Sequence, residues 1–108
     1  MINIDIVLDK TNNLYSCKAK GHAGAGKTGT DIVCAAVAVL MRTAIIVLSD
    51  RHGIKIQSDA PEPGHVWLKT EYTSQGSDFL FAVKEFLITG LSSVAEEFPD
   101  KCELVISG

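Results

Sequence analysis

Two residues twelve apart can do chemistry together: His22 and Cys34, in the stretch GHAGAGKTGTDIVC. A thiolate is a strong nucleophile, but a free cysteine with a pKa of about 8.5 is mostly protonated at neutral pH. An imidazole brought to it can take the proton, hold the thiolate as an ion pair and return the proton to a leaving group. Gly21, Gly24, Gly26 and Gly29 make the surrounding loop a hinge that can fold the histidine back over the start of a helix. That helix start adds its dipole to the cysteine environment, and its unpaired N–H groups can hold the oxyanion of an acyl-transfer intermediate. A plainer reading stands beside this one. A lone cysteine in an apolar helix is usually a small buried hydrophobe, and a loop histidine usually faces water.

The same stretch fits a second pattern. Gly21 to Thr28 spells GHAGAGKT, which matches the phosphate loop G-x-x-x-x-G-K-[ST]. A phosphate loop follows a buried strand, starts a helix at its lysine and needs an acidic residue on a second strand for Mg²⁺. Here Gly29 falls where that helix should already be under way. The acidic candidate, Asp50 at the end of AIIVLSD, lies 22 residues beyond Thr28 and continues the same helical stretch. The chain also lacks alternating β-α units. The sequence therefore predicts no nucleotide site, and the match is a coincidence of glycines.

The elements that must position the pair are legible in the apolar pattern. Ile2, Ile4, Ile6 and Leu8 alternate with Asn3, Asp5, Val7 and Asp9, which predicts a strand rather than a signal peptide. Lys10 to Asn13 is turn chemistry, and Leu14 to Lys20 returns as a second strand, with Tyr15, Cys17 and Ala19 expected on one face. A long apolar helix follows, starting at Thr28 or Thr30 and capped by Gly53 after Arg51 and His52. Ala44 to Leu48 is β-branched enough to suit a strand as well. Short strands are expected at Ile54–Ile56 and His65–Tyr72, around a Pro-Gly turn in Asp59 to Gly64. Thr73 to Ser77 offers cap candidates for a second helix. Phe79, Val83, Leu87, Leu91, Val94 and Phe98 carry it to Pro99, with Gly90 packed closely against a neighbour. Cys102, Leu104 and Ile106 alternate in a last strand. The fold class is α+β: a single domain, residues 1–108, in ββαββαβ order, with a mixed or antiparallel sheet packed on two long helices.

Composition narrows the function. The chain has 108 residues, a formal net charge of −3 and no Lys/Arg cluster, so nucleic acid is not an expected partner. Three cysteines, Cys17, Cys34 and Cys102, form no zinc spacing and read as reduced thiols in a cytoplasmic protein. Cys17 and Cys102 read as packing, His52 as a helix C-terminal charge, and His65 as a strand residue of open facing. The apolar stretch Ile32–Leu48 is interrupted by Arg42 and Thr43 and is too short for a membrane span. No metal or other cofactor is expected.

GHAG followed by GTDIVCAAVAVL, on a chain of this length and element order, resembles the bacterial ribosomal-processing cysteine protease family, Prp. The resemblance covers essentially the whole chain, and its specific part is residues 21–38. It implies that His22 and Cys34 are the catalytic pair and that the substrate is the N-terminal extension of a large-subunit ribosomal protein. It also implies a homodimer. The sequence departs from the family pattern at Ala25, where an aromatic residue is common, at Gly26 in place of alanine, and at Ala38 in place of serine. The catalytic pair is untouched, while any substrate contact from that aromatic ring is missing.

Together these readings predict a cysteine endopeptidase whose loop, with Gly21, Gly24 and Gly29 among its residues, is mobile over residues 22–30 until substrate orders it. Asp31 either orients His22 or is simply a carboxylate favoured by the helix dipole. The competing class is a non-catalytic dimeric binding module using the same loop and helix start.

Overall fold

A computed structural model of the chain describes residues 1–21 and 28–108, the side chains of residues 28–31 excepted. The elements run β1 (Ile2–Leu8), β2 (Leu14–Lys20), α1 (Thr28–Leu48), β3 (Ile54–Glu62), β4 (His65–Tyr72), α2 (Ser77–Glu97) and β5 (Cys102–Ser107). They form one five-stranded sheet in the order β3-β4-β2-β1-β5. Only β1 and β5 pair in parallel, because α2 carries the chain back across the sheet between β4 and β5. The sheet is mixed and the domain α+β, with the expected order of elements.

Period-two alternation sorts the strands into a wet face and a dry one. Ile2, Ile4 and Ile6 of β1 are buried beside Cys17, Ala19 and Leu68, whereas Asn3, Asp5, Lys18 and Lys69 face water. Over the dry face α1 lays Val33, Val37, Met41, Ala44 and Leu48, and α2 lays Leu80, Leu87 and Leu91. Both series step by three, four or seven, as a helix stripe must. Leu40 meets Gly90 where the two helices touch: a Cβ on that glycine would sit 2.9 Å from Leu40 Cδ2. The close approach expected at Gly90 is there.

The differences from the sequence reading have local causes. Tyr15 faces water, not the core with Cys17, because β2 carries an extra residue there: Ser16 pairs with Val7 and Leu14 with Leu8. The buried Thr70 hydroxyl donates to the Leu14 carbonyl beside that bulge at 2.6 Å. Helix α1 starts at Thr28, the earlier of the two expected starts, and stays helical through the β-branched Ala44–Leu48. It ends before Gly53, because Asp50 turns into the left-handed region at φ 58°. Gly53, at φ 81°, instead lets the chain pass against Gly76 at the start of α2, where a Cβ on either would strike the other's backbone. β3 runs six residues past its expected end at Ile56. As an edge strand it tolerates Pro61, and its register slips between Asp59 and Glu62. Ile106, near the end of the other edge strand, is exposed rather than alternating inward.

The β1–β2 turn is held by the Asp9 carboxylate. It accepts hydrogen bonds from the Thr11 hydroxyl, the N–H groups of Thr11 and Asn13, and the Tyr72 hydroxyl arriving from β4. Burial pushes this carboxyl up, but the four hydrogen bonds, that from Tyr72 first, outweigh it and bring it from 3.8 to about 2. A depressed carboxyl contributes stability that is present above pH 4 and is lost as the pH falls toward 2. Tyr72→Phe is therefore expected to cost about 1 kcal/mol at pH 7, low for a bond to a charged acceptor because the turn is partly wet. The gap from the parent, followed by denaturant unfolding, should narrow between pH 4 and 2.

Candidate active site

Cys34 is the seventh residue of α1, in its second turn, and is half-buried at the flank of the helix. Ala38, Arg42 and Ile45 follow it along that flank at steps of four, four and three. Opposite stands the β3–β4 hairpin, from Ser58 through Pro63 and Gly64 to Val66, and between them Ile2, Ala19 and Val37 supply apolar lining. The groove so formed holds about 600 Å³, the size of a ligand site. From Cys34 to Ile45 the helix rises about 16 Å, a length that matches roughly five residues of extended peptide.

The entrance to the glycine loop is fixed at one end of this groove. Gly21 has φ 122°, and a Cβ there would run into the carbonyl of Met1. Its N–H donates to the Gly64 carbonyl at 2.9 Å, tying the end of β2 to the tip of the hairpin. Gly21 thus starts the next segment from a defined place beside the groove that Cys34 lines. Its expected role as a hinge residue becomes that of an anchor. His22, Gly24, Gly26 and the side chain of Asp31 lie outside the described residues, as do residues 22–27 of the stretch 22–30 expected to be mobile; the remainder of that stretch, with Gly29, and the Asp31 backbone belong to the first turn of α1.

The phosphate-loop alternative fails on architecture. Its would-be magnesium strand, AIIVLSD, is the last part of α1 and the turn after it, and the strand before the loop pairs antiparallel on both sides.

A protein-family model described as cysteine protease Prp matches residues 1–103. The chain belongs to the Prp family of cysteine proteases. Two solved structures of S. aureus Prp, described as an essential ribosomal processing protease, share its fold. The one with a covalently linked product peptide has a TM-score of 0.81 at 20% identity, covering 98% of this chain and 99% of that one. The one with a substrate peptide has a TM-score of 0.78 at 21% identity and the same coverage. SMU.848 from Streptococcus mutans is 30% identical, with a TM-score of 0.78 over all of this chain and 96% of that one. No curated protein matches the chain.

Within this Prp-family chain the three cysteines are sharply different. Cys17 is fully buried with its Sγ 3.3 Å from Met41 Sδ, and burial, helped by the charge of Asp5, pushes its thiol up to about 12. Cys102 is buried on β5; burial pushes its thiol up, and neighbouring Cys34 adds to the effect. Both are packing residues, as the sequence suggested. Only Cys34 among them lines the groove. Its place in the second turn limits the help from the helix, since the dipole effect fades within one turn and the unpaired N–H groups are the first four. Those donors belong to residues 28–31, about one turn below the sulfur. The helix alone therefore gives the Cys34 thiolate little stabilisation.

Sequence reasoning missed the far wall. Asp59 and Glu62 on the hairpin bring negative charge to the apolar lining opposite the α1 flank that carries Arg42, and His65 adds an imidazole. The hairpin residues read as a turn and two short strands, and nothing local marks them as facing Cys34. The helix flank was readable: Cys34, Ala38, Arg42 and Ile45 lie at helical spacing on one side. No helix among the described residues is long and apolar enough to cross a membrane.

Proposed function

We propose that this chain is a cytoplasmic endopeptidase that removes the N-terminal extension of a large-subunit ribosomal protein, with Cys34 as nucleophile and His22 as its base. The observation that carries the reading is the position of Cys34: among the three cysteines, it alone opens onto a groove long enough for an extended peptide. His22 follows the anchored Gly21 and is the imidazole that the motif supplies. It takes the Cys34 proton, the thiolate adds to the scissile carbonyl, and His22 returns the proton to the departing amine. Water then hydrolyses the thioester, restoring the thiol. Asp31, one turn before Cys34, orients His22 or completes the helix start. The S. aureus structures, with a substrate peptide and with a covalently linked product peptide, are consistent with this course.

His22→Ala is expected to lower kcat by 10² or more while the fold is kept, and Lys27→Ala to leave kcat within about twofold. Peptide cleavage followed by chromatography measures both. Equal kcat in His22→Ala and the parent would remove the histidine from the mechanism. A Lys27→Ala variant that lost both activity and a saturable Mg-ATP affinity would restore the phosphate loop.

The active form is proposed to be a homodimer joined through α1. Ile32, Val39 and Ile46 recur every seven residues and are 58, 52 and 65% exposed, an apolar seam along the helix face turned away from the sheet. A seven-residue repeat is what two packed helices bury together. Light scattering at micromolar concentration should give twice the chain mass, and Val39→Glu should return the monomer. A monomeric parent would rule the seam out.

A further inference from the structure

Of the described residues, His65 is the only one with a buried side-chain nitrogen or oxygen that finds no hydrogen-bond partner: its Nε2. The ring stands at the start of β4, lines the groove opposite Cys34, and is 19% exposed at the side chain. Its other nitrogen, Nδ1, lies 3.8 Å from Glu62 Oε1, across the β3–β4 pairing. The preceding residue, Gly64, accepts the Gly21 N–H, so His65 is held next to the point where the catalytic loop begins. In the neutral ring with its proton on Nδ1, the nitrogen on the Glu62 side, Nε2 carries a lone pair and is an acceptor. A shielded acceptor without a donor is costly, and water does not reach this one.

We propose that His65 is a peptide-binding residue of the groove: its Nε2 accepts a hydrogen bond from a backbone N–H of the bound peptide and holds the extended chain against Cys34. His65 χ2 lies in a broad torsional well, so the ring can turn Nε2 toward a bound chain at low cost. The peptide is recognised as extended backbone, because a backbone N–H recurs in every residue while the apolar lining and the charges of Arg42, Asp59 and Glu62 are left to read side chains. The assignment rests on the proposed reading of the groove as a peptide site. His65 takes no part in the covalent step.

A peptidyl chloromethyl ketone carrying the four residues before the cleavage site separates binding from chemistry, because its inactivation saturates with an apparent KI and a limiting rate. His65→Phe keeps the ring volume and removes the acceptor; its KI should rise about tenfold, the loss of one hydrogen bond, with the limiting rate unchanged. His65→Gln places an amide oxygen near the Nε2 position and should stay within about threefold of the parent. Alkylation of Cys34 by iodoacetamide, which has no peptide part, should proceed equally in all three proteins. An unchanged KI in His65→Phe overturns the proposal. So does a His65→Gln variant as weak as His65→Phe, which would mean that the ring only packs, or a parallel fall in iodoacetamide rate, which would place His65 on the thiolate. A parent whose Cys34 reacts with iodoacetamide but shows no saturation with the peptidyl reagent would instead sink the peptide groove itself, and the role of His65 with it.

Discussion

Cys34→Ser is expected to lower peptide cleavage by at least 10³-fold, with a melting temperature within a few degrees of the parent. The hydroxyl nearly matches the thiol in shape, and the site is a half-buried helix flank, so little packing is lost. The chemistry loses much more. A serine hydroxyl has no accessible anion at neutral pH, and the base that suffices for a thiol cannot raise its nucleophilicity enough to compensate. Removal of the nucleophile from a catalytic unit costs nearly all of its rate enhancement, so the residual rate should approach that of bound but unattacked peptide. Cys17→Ser and Cys102→Ser mark the contrast. Each places a hydroxyl in the core and should cost stability, with kcat retained in the protein that stays folded. Parent-like cleavage by Cys34→Ser would move the nucleophile elsewhere.

The second large effect is expected at Gly21. Alanine there must hold φ 122°, and its Cβ must share space with the Met1 carbonyl at the entry to β1. Neither can yield cheaply, since the obstacle is backbone and the strand is pinned by the β1–β2 and β1–β5 pairings. A cost on the order of 3 kcal/mol follows, enough to lower the melting temperature by more than about 10 °C in a domain of this size. Activity should fall further than the folded fraction, because the Gly21 N–H bond to Gly64 sets where His22 begins and where the hairpin tip stands. Thermal unfolding monitored by circular dichroism, read beside kcat at a temperature where the variant is folded, separates the two effects. A parent-like melting temperature would show that Gly21 tolerates a side chain and that the loop is not anchored there.

Much of the fold was legible because it is written in periodicity. Ile2, Ile4 and Ile6 at period two, and the six apolar positions from Phe79 to Phe98 at helical period, each point to one element. What escaped was written in pairing. The bulge at Tyr15 depends on how β2 meets β1, and the extension of β3 through Glu62 depends on β4 being there to receive it. Pro61 signals a break locally, and the edge position lets β3 continue through it to Glu62, so that the turn itself is only Pro63–Gly64. The site divides the same way. Cys34 and the helix flank behind it follow from one stretch of sequence. The wall that makes a groove of that flank, Ser58 to Val66, comes from residues more than twenty positions away, brought over by the β2–β4 pairing. The helix boundary also mattered: a start at Thr28 moves Cys34 into the second turn, where the helix dipole has largely faded.

Cys34 is proposed to perform a single cut near the N-terminus of a ribosomal protein. Intact-mass spectrometry of the unprocessed large-subunit ribosomal protein, incubated with the parent chain and with Cys34→Ser, tests it most directly. The predicted result is one mass loss equal to the N-terminal extension, with the matching peptide released by the parent and none released by the variant. An unchanged mass after incubation with a parent whose Cys34 is reduced and titratable by iodoacetamide, or an equal loss with Cys34→Ser, would contradict it.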